Sequence, residues 1–372
     1  MYAFFLYGAD ALGFTINLIY NRDGTQHPPG SAVIGSLFLK QVEAAADNFG
    51  VLLKRLLHGN ASNVNQSGEG KQRLFRSTFG TQKLQVQSIP LSINCRGRRV
   101  LFDQPLLMGI LNITPDSFYS GSLFSSDAAL LKKAEQMLAD GAMFIDMGGQ
   151  STRPGSQTVS AEEELARIIP AVQAVHKAFP HALVSIDTFY ASVAQAAADA
   201  GASLINDVSS GTIDPQLWPL LPKLGLPYVL SHIQGRPQTM QQSPHYENVV
   251  LEVFDDVNKK RHQLQEAGVT DVIIDPGFGF GKTINHNLQL LHALNFFGQM
   301  NCPLMVGLSR KGTVYKTLGV SAEEALNGST VLHTIALLHG AQLLRVHDVK
   351  EAAEAVKLVA AYGAANKKAL QV

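Results

Sequence analysis

From about Leu106 onward, short apolar runs alternate with longer stretches whose apolar positions recur at helical spacing. Eight runs read as strands: LLMGILN (106–112), MFIDM (143–147), LVSID (183–187), SLIND (203–207), YVLSH (228–232), VIID (272–275), PLMVGLS (303–309) and LLRVH (343–347). Their near-continuous apolar character suits parallel strands with helices outside and packed side chains inside. Eight such βα units over about 265 residues predict an α/β fold, the (β/α)8 or TIM barrel. The alternative is a doubly wound open sheet, because alternation alone does not show that a sheet closes. Helix starts are marked by Ser160 with Glu163 and by Ser321 with Glu324, both in SAEE, at the spacing of a capping box; Asp348 with Glu351 repeats it.

Residues 1 to about 90 follow no such pattern. The opening MYAFFLYGADALGFTINLIY lacks a basic n-region and an AxA-like cleavage site and carries Asp10, so it does not read as a signal peptide. No apolar run approaches the roughly 18 residues of a membrane span. A helix is expected across Ser36 to Leu57, then the linker-like GNASNVNQSGEG. Two regions are therefore expected: residues 1–90, either a partly disordered extension or the product of a start placed too far upstream, and residues 91–372, the barrel.

Composition narrows the function. Thirty Lys and Arg balance thirty Asp and Glu, so no global field gathers nucleic acid or an anionic membrane. Two cysteines, Cys95 and Cys302, make neither a disulfide framework nor a zinc site, and their scarcity suits a reducing cytoplasm. A metal, if used, must bind to oxygen or histidine.

The strand runs end in polar groups: Asn112, Asp146, Asp187, Asn206 with Asp207, His232, Asp275, Ser309 and His347. Singly, each is an ordinary turn or cap residue. Together, at the barrel end where active sites are built, they predict an acceptor-rich pocket with Arg345, Lys311 and Arg153 supplying positive charge. GFGFGKT imitates a phosphate-binding P-loop, but Pro276 stands where that motif needs its first glycine.

MGILNITPDSF (108–118) and FIDMGGQSTRPG (144–155) are followed in order by SIDT, INDV, DPGFGFGKT, GLSRKG and LLRVHDV. Over residues 91–372 the chain thereby resembles the dihydropteroate synthases of folate biosynthesis. The resemblance implies a homodimeric, sulfonamide-targeted transferase that joins 6-hydroxymethyl-7,8-dihydropterin pyrophosphate to p-aminobenzoate, giving 7,8-dihydropteroate and pyrophosphate. It implies small-molecule partners, with neither nucleic acid nor membrane.

Carried onto this chain, the resemblance assigns pterin binding to Asp187, Asn206, Asp275 and Lys311. Their chemistry fits, since the N–H groups of a buried pterin need carboxylate and amide acceptors. Pyrophosphate falls to Asn112, Thr152, Arg345 and His347; the last two share one strand face, and an Arg fork suits phosphate oxygens. Asn112 is also the Mg2+ residue, the remaining ligands coming from phosphate and water. p-Aminobenzoate falls to Phe118, Thr152, Arg153, Pro154, Ser309 and Lys311, the last two near a helix start that favours a carboxylate. Asn112, Lys311, Arg345 and His347 are the expected catalytic set. The loops carrying Thr114 to Phe118 and Thr152 to Pro154 read as lids that complete the aminobenzoate site once pterin is bound. Breakage of the carbon–oxygen bond ahead of amine attack is expected, because the dihydropterin delocalises positive charge, so no strong general base is needed.

The chain departs from the family pattern at Ser120, in place of a frequent aspartate, at Gln150, in place of a frequent glutamate, and in SHIQGRP (231–237). Two rivals are a non-catalytic pterin-binding paralogue and a pterin-dependent methyltransferase barrel. STRPG, SRKG and RVHDV argue against the methyltransferase.

Overall fold

The computed structural model describes residues 90–113, 123–150, 158–236 and 239–369. The expected helix at Ser36 to Leu57 and linker, and the loop residues Phe118, Ser120, Thr152, Arg153 and Pro154, lie outside the described residues.

A hairpin comes first, β1 (Ser92–Cys95) and β2 (Arg98–Leu101), paired antiparallel through a turn whose central residues, Arg96 and Gly97, both have positive φ. Eight strands then form one sheet: β3 (Leu106–Asn112), β4 (Phe144–Gly148), β5 (Leu183–Asp187), β6 (Leu204–Asp207), β7 (Tyr228–Ser231), β8 (Val272–Asp275), β9 (Met305–Val306) and β10 (Leu343–Val346). All neighbours are parallel in the order β8-β7-β6-β5-β4-β3-β10-β9. A parallel bridge from Ile274 to Leu304, with the Ile274 amide donating to the Pro303 carbonyl at 2.8 Å, joins β8 to the β9 segment. The sheet is therefore the expected barrel and not the open alternative. Around it lie α1 (Leu123–Ala139), α2 (Ala161–Ala178), α3 (Ala191–Asp199), α4 (Leu217–Leu224), α5 (Val249–Glu266), α6 (Ile284–His292), α7 (Gly312–Leu318), α8 (Leu326–Leu338) and α9 (Val349–Ala369).

Side chains alternate across a strand, and here the alternation sorts one apolar run into two cores. Leu107, Ile145, Val184, Ile205, Leu230, Ile274, Val306 and Leu344 pack outward against the helices. Met108, Phe144, Leu183, Leu204, Val229, Ile273, Met305 and Leu343 form one layer inside the barrel, covered by Ile93, Cys95, Val100 and Phe102 of the hairpin and the residue after it. Each such fully buried side chain contributes about 1.5–3 kcal/mol. This plug closes the bottom, and the chemistry lies above it.

The helix-start expectations divide. Ser160 caps α2 by accepting from the Glu163 amide at 3.2 Å. Ser321 and Glu324 exchange their two hydrogen bonds (3.0 and 3.4 Å), yet α8 begins only at Leu326. The cause is Arg310, whose Nη1 takes the carbonyls of Ala322 (3.0 Å) and Glu323 (2.5 Å) at the point where a helix would use them. Asp348 directly precedes α9, but its carboxylate is held by Arg310 Nε and Nη2 at 2.8 and 2.9 Å. The run 303–309 yields a strand of only Met305–Val306, and the chain turns away through Arg310 at φ 51°.

Candidate active site

Two residues along from the apolar layer, the inward positions of six strands become polar: Asp146, Ser185, Asn206, Ser231, Asp275 and Arg345; on β3 and after β9 the same count gives Ile110 and Gly307. At their centre Arg345 donates from Nε to Asp146 Oδ2 (2.6 Å) and from Nη2 to Asp187 Oδ2 (2.6 Å). Asn206 Nδ2 donates to the same Asp146 oxygen at 3.1 Å, and Ser185 Oγ donates to the other at 2.5 Å. Burial among several carboxylates raises Asp187 to about 7, with Arg345 pulling the other way.

Asp275 accepts from the Gly277 amide at 2.8 Å, and the Ser231 hydroxyl stands 3.5 Å from its second oxygen. Lys311 reaches the same side of the mouth, donating to the Phe278 carbonyl at 2.6 Å with its ammonium 4.3 Å from the Phe280 ring centre. Burial lowers Lys311 to about 8, while Asp275 favours its charged form. Ser309 accepts from the His347 amide at 3.2 Å, tying the β9 exit to the β10 exit, and Asn112 is half-buried at the end of β3.

The structure thus brings Asp187, Asn206, Asp275, Lys311, Arg345, Ser309, His347 and Asn112 to one barrel end. Two of the predicted rim residues do not join them. Asp207 faces outward, accepting from the amides of Ser209 and Gly211 (2.7 Å each) and from the Tyr228 hydroxyl at 2.8 Å; it is a turn residue. The His232 ring is occupied by Lys282, 2.8 Å from Nδ1, so Lys282 of the P-loop-like stretch holds a turn and no phosphate.

Gln150, the departure at the exit of β4, is buried and donates to Glu164 Oε2 at 2.8 Å. Desolvation pushes Glu164 up to about 8. A neutral amide suits that neighbour better than a second carboxylate, which would add like-charge repulsion. Roles for Ser185, Ser231, Phe280 and Arg310 were not predicted, and Asp146 was named only as a strand end. Counting by twos from the apolar layer would have found Asp146, Ser185 and Ser231.

Asn112, the residue the resemblance assigns to a metal, would offer a divalent ion one hard side-chain oxygen at the end of β3. Among the described residues no cluster of three or more His, Cys, Asp or Glu is arranged to hold a metal. Such a donor set fits Mg2+ only when phosphate oxygens and water complete its shell.

Comparison with known proteins locates this site in a wider set. Residues 108–347 match the family model described as pterin binding enzyme. The chain is 41% identical over 273 residues to a dihydropteroate synthase of Escherichia coli (strain K12), covering 73% of this chain and 96% of that one. A Yersinia pestis dihydropteroate synthase in a sulfonamide drug complex superposes with a TM-score of 0.69 at 40% identity, covering 74% of this chain and all of that one. A Xanthomonas albilineans dihydropteroate synthase in complex with 7,8-dihydropteroate gives a TM-score of 0.66 at 34% identity, covering 73% and 99%.

Proposed function

The chain belongs to the dihydropteroate synthase family of pterin-binding enzymes, and we infer that it does that family's work, condensing 6-hydroxymethyl-7,8-dihydropterin pyrophosphate with p-aminobenzoate to give 7,8-dihydropteroate and pyrophosphate. The observation that carries this reading is the buried cluster in which Arg345 bridges Asp146 and Asp187 beside Asn206, with Asp275 at the end of β8 and Lys311 just before α7 at the same barrel mouth.

In this reading the pterin's N–H edge donates to Asp187, Asn206 and Asp275. Arg345 uses only one oxygen of Asp187, which leaves the other for the ligand. Lys311, held against Phe280, faces the pterin's acceptor atoms. Arg345 keeps Nη1 for the pyrophosphate, with His347, Thr152 and Asn112. Asn112, with phosphate oxygens, would hold Mg2+, and the ion when bound would supply positive charge to offset the negative charge of the leaving pyrophosphate. Ser309 and Lys311, with Phe118, Thr152, Arg153 and Pro154, receive p-aminobenzoate. The carbon–oxygen bond breaks ahead of amine attack, so donors aimed at the leaving group matter more than a base. Electron-poor aminobenzoates test this order: a rate falling steeply with amine nucleophilicity argues for concerted displacement.

Exposed Leu318, Val331, Leu338, Leu358 and Tyr362 on α7, α8 and α9 support a homodimer through these helices, to be read by analytical ultracentrifugation. No described helix is long and apolar enough to cross a membrane. The scarce, unpaired cysteines favour a cytoplasmic setting.

The decisive assay supplies the pterin pyrophosphate, p-aminobenzoate and Mg2+ and looks for 7,8-dihydropteroate by mass spectrometry. Product is the expected result. A folded protein that binds the pterin without forming product would instead be a non-catalytic paralogue.

A further inference from the structure

Lys282 is 2% exposed and lies in no position to touch a substrate. Its ammonium donates to the carbonyls of Gly277 (2.9 Å), Phe280 (3.0 Å) and His232 (3.3 Å), and Nδ1 of His232 stands at 2.8 Å. Three N–H bonds are thus shared among four acceptors that converge from the β7 exit and from the turn after β8. A buried ammonium is costly unless it is fully partnered, so this one is placed where it organises the backbone around it.

That turn, residues 276–281, supplies the partners of two pterin-site residues. The Gly277 amide fixes Asp275, the Phe278 carbonyl receives Lys311, and the Phe280 ring lies under the Lys311 ammonium. Phe278 and Phe280 pack the turn's side chains into the core, but at Gly277 the backbone itself lies against the β7 exit: its φ is +74°, and a Cβ there would run into the His232 carbonyl oxygen. The turn's far end is secured separately, by Tyr246 donating to the Gly281 carbonyl (3.0 Å) and by Asn287 accepting from the Gly279 amide (2.9 Å). Removing Lys282 therefore frees the Gly277 and Phe280 carbonyls, while the bonds to Gly279 and Gly281 still tie the turn to the barrel.

We propose that Lys282 is a positioning residue for the pterin half of the site, setting Lys311 and Asp275 through the 276–281 turn. The proposal rests on the pterin assignment above. Its position in the GKT stretch is explained by the same geometry: the amine that a P-loop would turn toward a phosphate is here turned inward, onto peptide carbonyls.

The test compares parent, Lys282→Met and Lys311→Met, singly and combined, in the full chain. Binding of the dihydropterin pyrophosphate is measured by calorimetry, and the KM for p-aminobenzoate is measured at saturating pterin. Misplacement by a fraction of an ångström to 1 Å predicts pterin affinity about 10- to 100-fold weaker in K282M, with a smaller rise in the aminobenzoate KM, since Lys311 serves both substrates. In the K311M background, the loss caused by K282M should shrink, because the part of it that passes through the Lys311 ammonium is already gone and only the part that passes through Asp275 remains. Unchanged pterin affinity in folded K282M overturns the proposal, and so do losses that multiply in the double variant. If K282M does not fold, Lys282→Gln, which keeps two donors, is judged by the same two results. Failure of the parent to bind the pterin is a separate outcome; it overturns the functional reading and the proposal with it.

Discussion

Replacing Asp146 tests whether the Arg345 bridge holds the site together. The carboxylate is fully buried and accepts from Ser185, Asn206 and Arg345 at 2.5, 3.1 and 2.6 Å. In Asp146→Asn the amide oxygen can keep Arg345 and Asn206, while its NH2 meets the Ser185 hydroxyl, which can rotate to accept. Geometry survives and charge is lost. A hydrogen bond to a charged group contributes about 1.5–3 kcal/mol and a neutral one about 0.5–1.5. Two strongly charge-assisted bonds are downgraded, so D146N should lose about 2–3 kcal/mol. Asp146→Ala leaves the donors without their acceptor and Arg345 half-paired, a loss of about 3–5 kcal/mol. Arg345 still has Asp187, which keeps the figure from rising further. At about 2–4 °C per kcal/mol for a domain of this order of size, D146N should melt about 4–12 °C below the parent. Urea unfolding followed by circular dichroism on all three proteins gives the numbers. D146A within about 1 kcal/mol of the parent, or less damaged than D146N, would refute the reasoning, since either result means that the bridge is not the cluster's anchor.

Other perturbations reach different parts of the site. Arg310→Met removes both bonds to Asp348 and those to the Ala322 and Glu323 carbonyls, so it should cost about 3–5 kcal/mol and raise the aminobenzoate KM, because Ser309 and Lys311 flank it. Arg310→Lys should recover little of either, lacking the fork; calorimetry and kinetics that show no change in both properties would sink the idea. Activity should fall on the acid side of about 7 as Asp187 is protonated and loses acceptor capacity, and D146N should move that limb to lower pH by removing a neighbouring carboxylate. A flat kcat/KM profile between about pH 6 and 8 contradicts this. His232, facing Lys282, Lys260 and Asp256, is lowered by burial from 6.5 to about 2, so between those values the unfolded chain takes a proton that the folded chain refuses. Stability present above pH 6.5 is therefore lost as pH falls, by about 2 kcal/mol between pH 7 and 5. His232→Asn, which keeps an acceptor for Lys282, should flatten the curve by that amount, and identical pH dependence in both proteins would show that His232 is not the titrating group.

What the sequence revealed depended on parity. Asn206 and Asp207 are equally polar at the end of one run, yet only Asn206 is an even number of residues from the inward Leu204, and only it faces the mouth. The same count puts Ser231 inside with Val229 and turns His232 away. Asp146, two residues after Phe144, was legible in the same way once the inner layer was known. Strand existence and order needed no such key, because the apolar runs and the helical stretches between them already imply a right-handed βα succession. Lys282 and Arg310 were illegible for a different reason. Both act on backbone carbonyls, of residues up to 50 positions away, and a carbonyl carries no side-chain signature in sequence. The misplaced start of α8 follows directly, since the Ser321–Glu324 box forms and a distant guanidinium outcompetes the helix for the next carbonyls.

The electrostatics of the mouth show why such anchoring matters for turnover. Asp146, Asp187 and Asp275 face two cations, Arg345 and Lys311, above a buried apolar plug. In this desolvated setting Asp187 is raised and Lys311 lowered, so each is held away from its comfortable charge state. A ligand that donates N–H groups to the carboxylates and presents acceptors to the ammonium relieves both strains at once, whereas water at the open mouth relieves neither fully. Binding energy then depends on whether the charged atoms stand still while waiting for the ligand. Arg345 is fixed by two carboxylates, Asp275 by a peptide amide, and Lys311 by a carbonyl and a ring. Donors fixed in advance also need no reorganisation when negative charge moves onto the departing pyrophosphate, which is where a preorganised site gains most over solvent. Lys282 supplies that immobility from the turn that holds Asp275 and Lys311 in place, and so acts on the reaction without touching it.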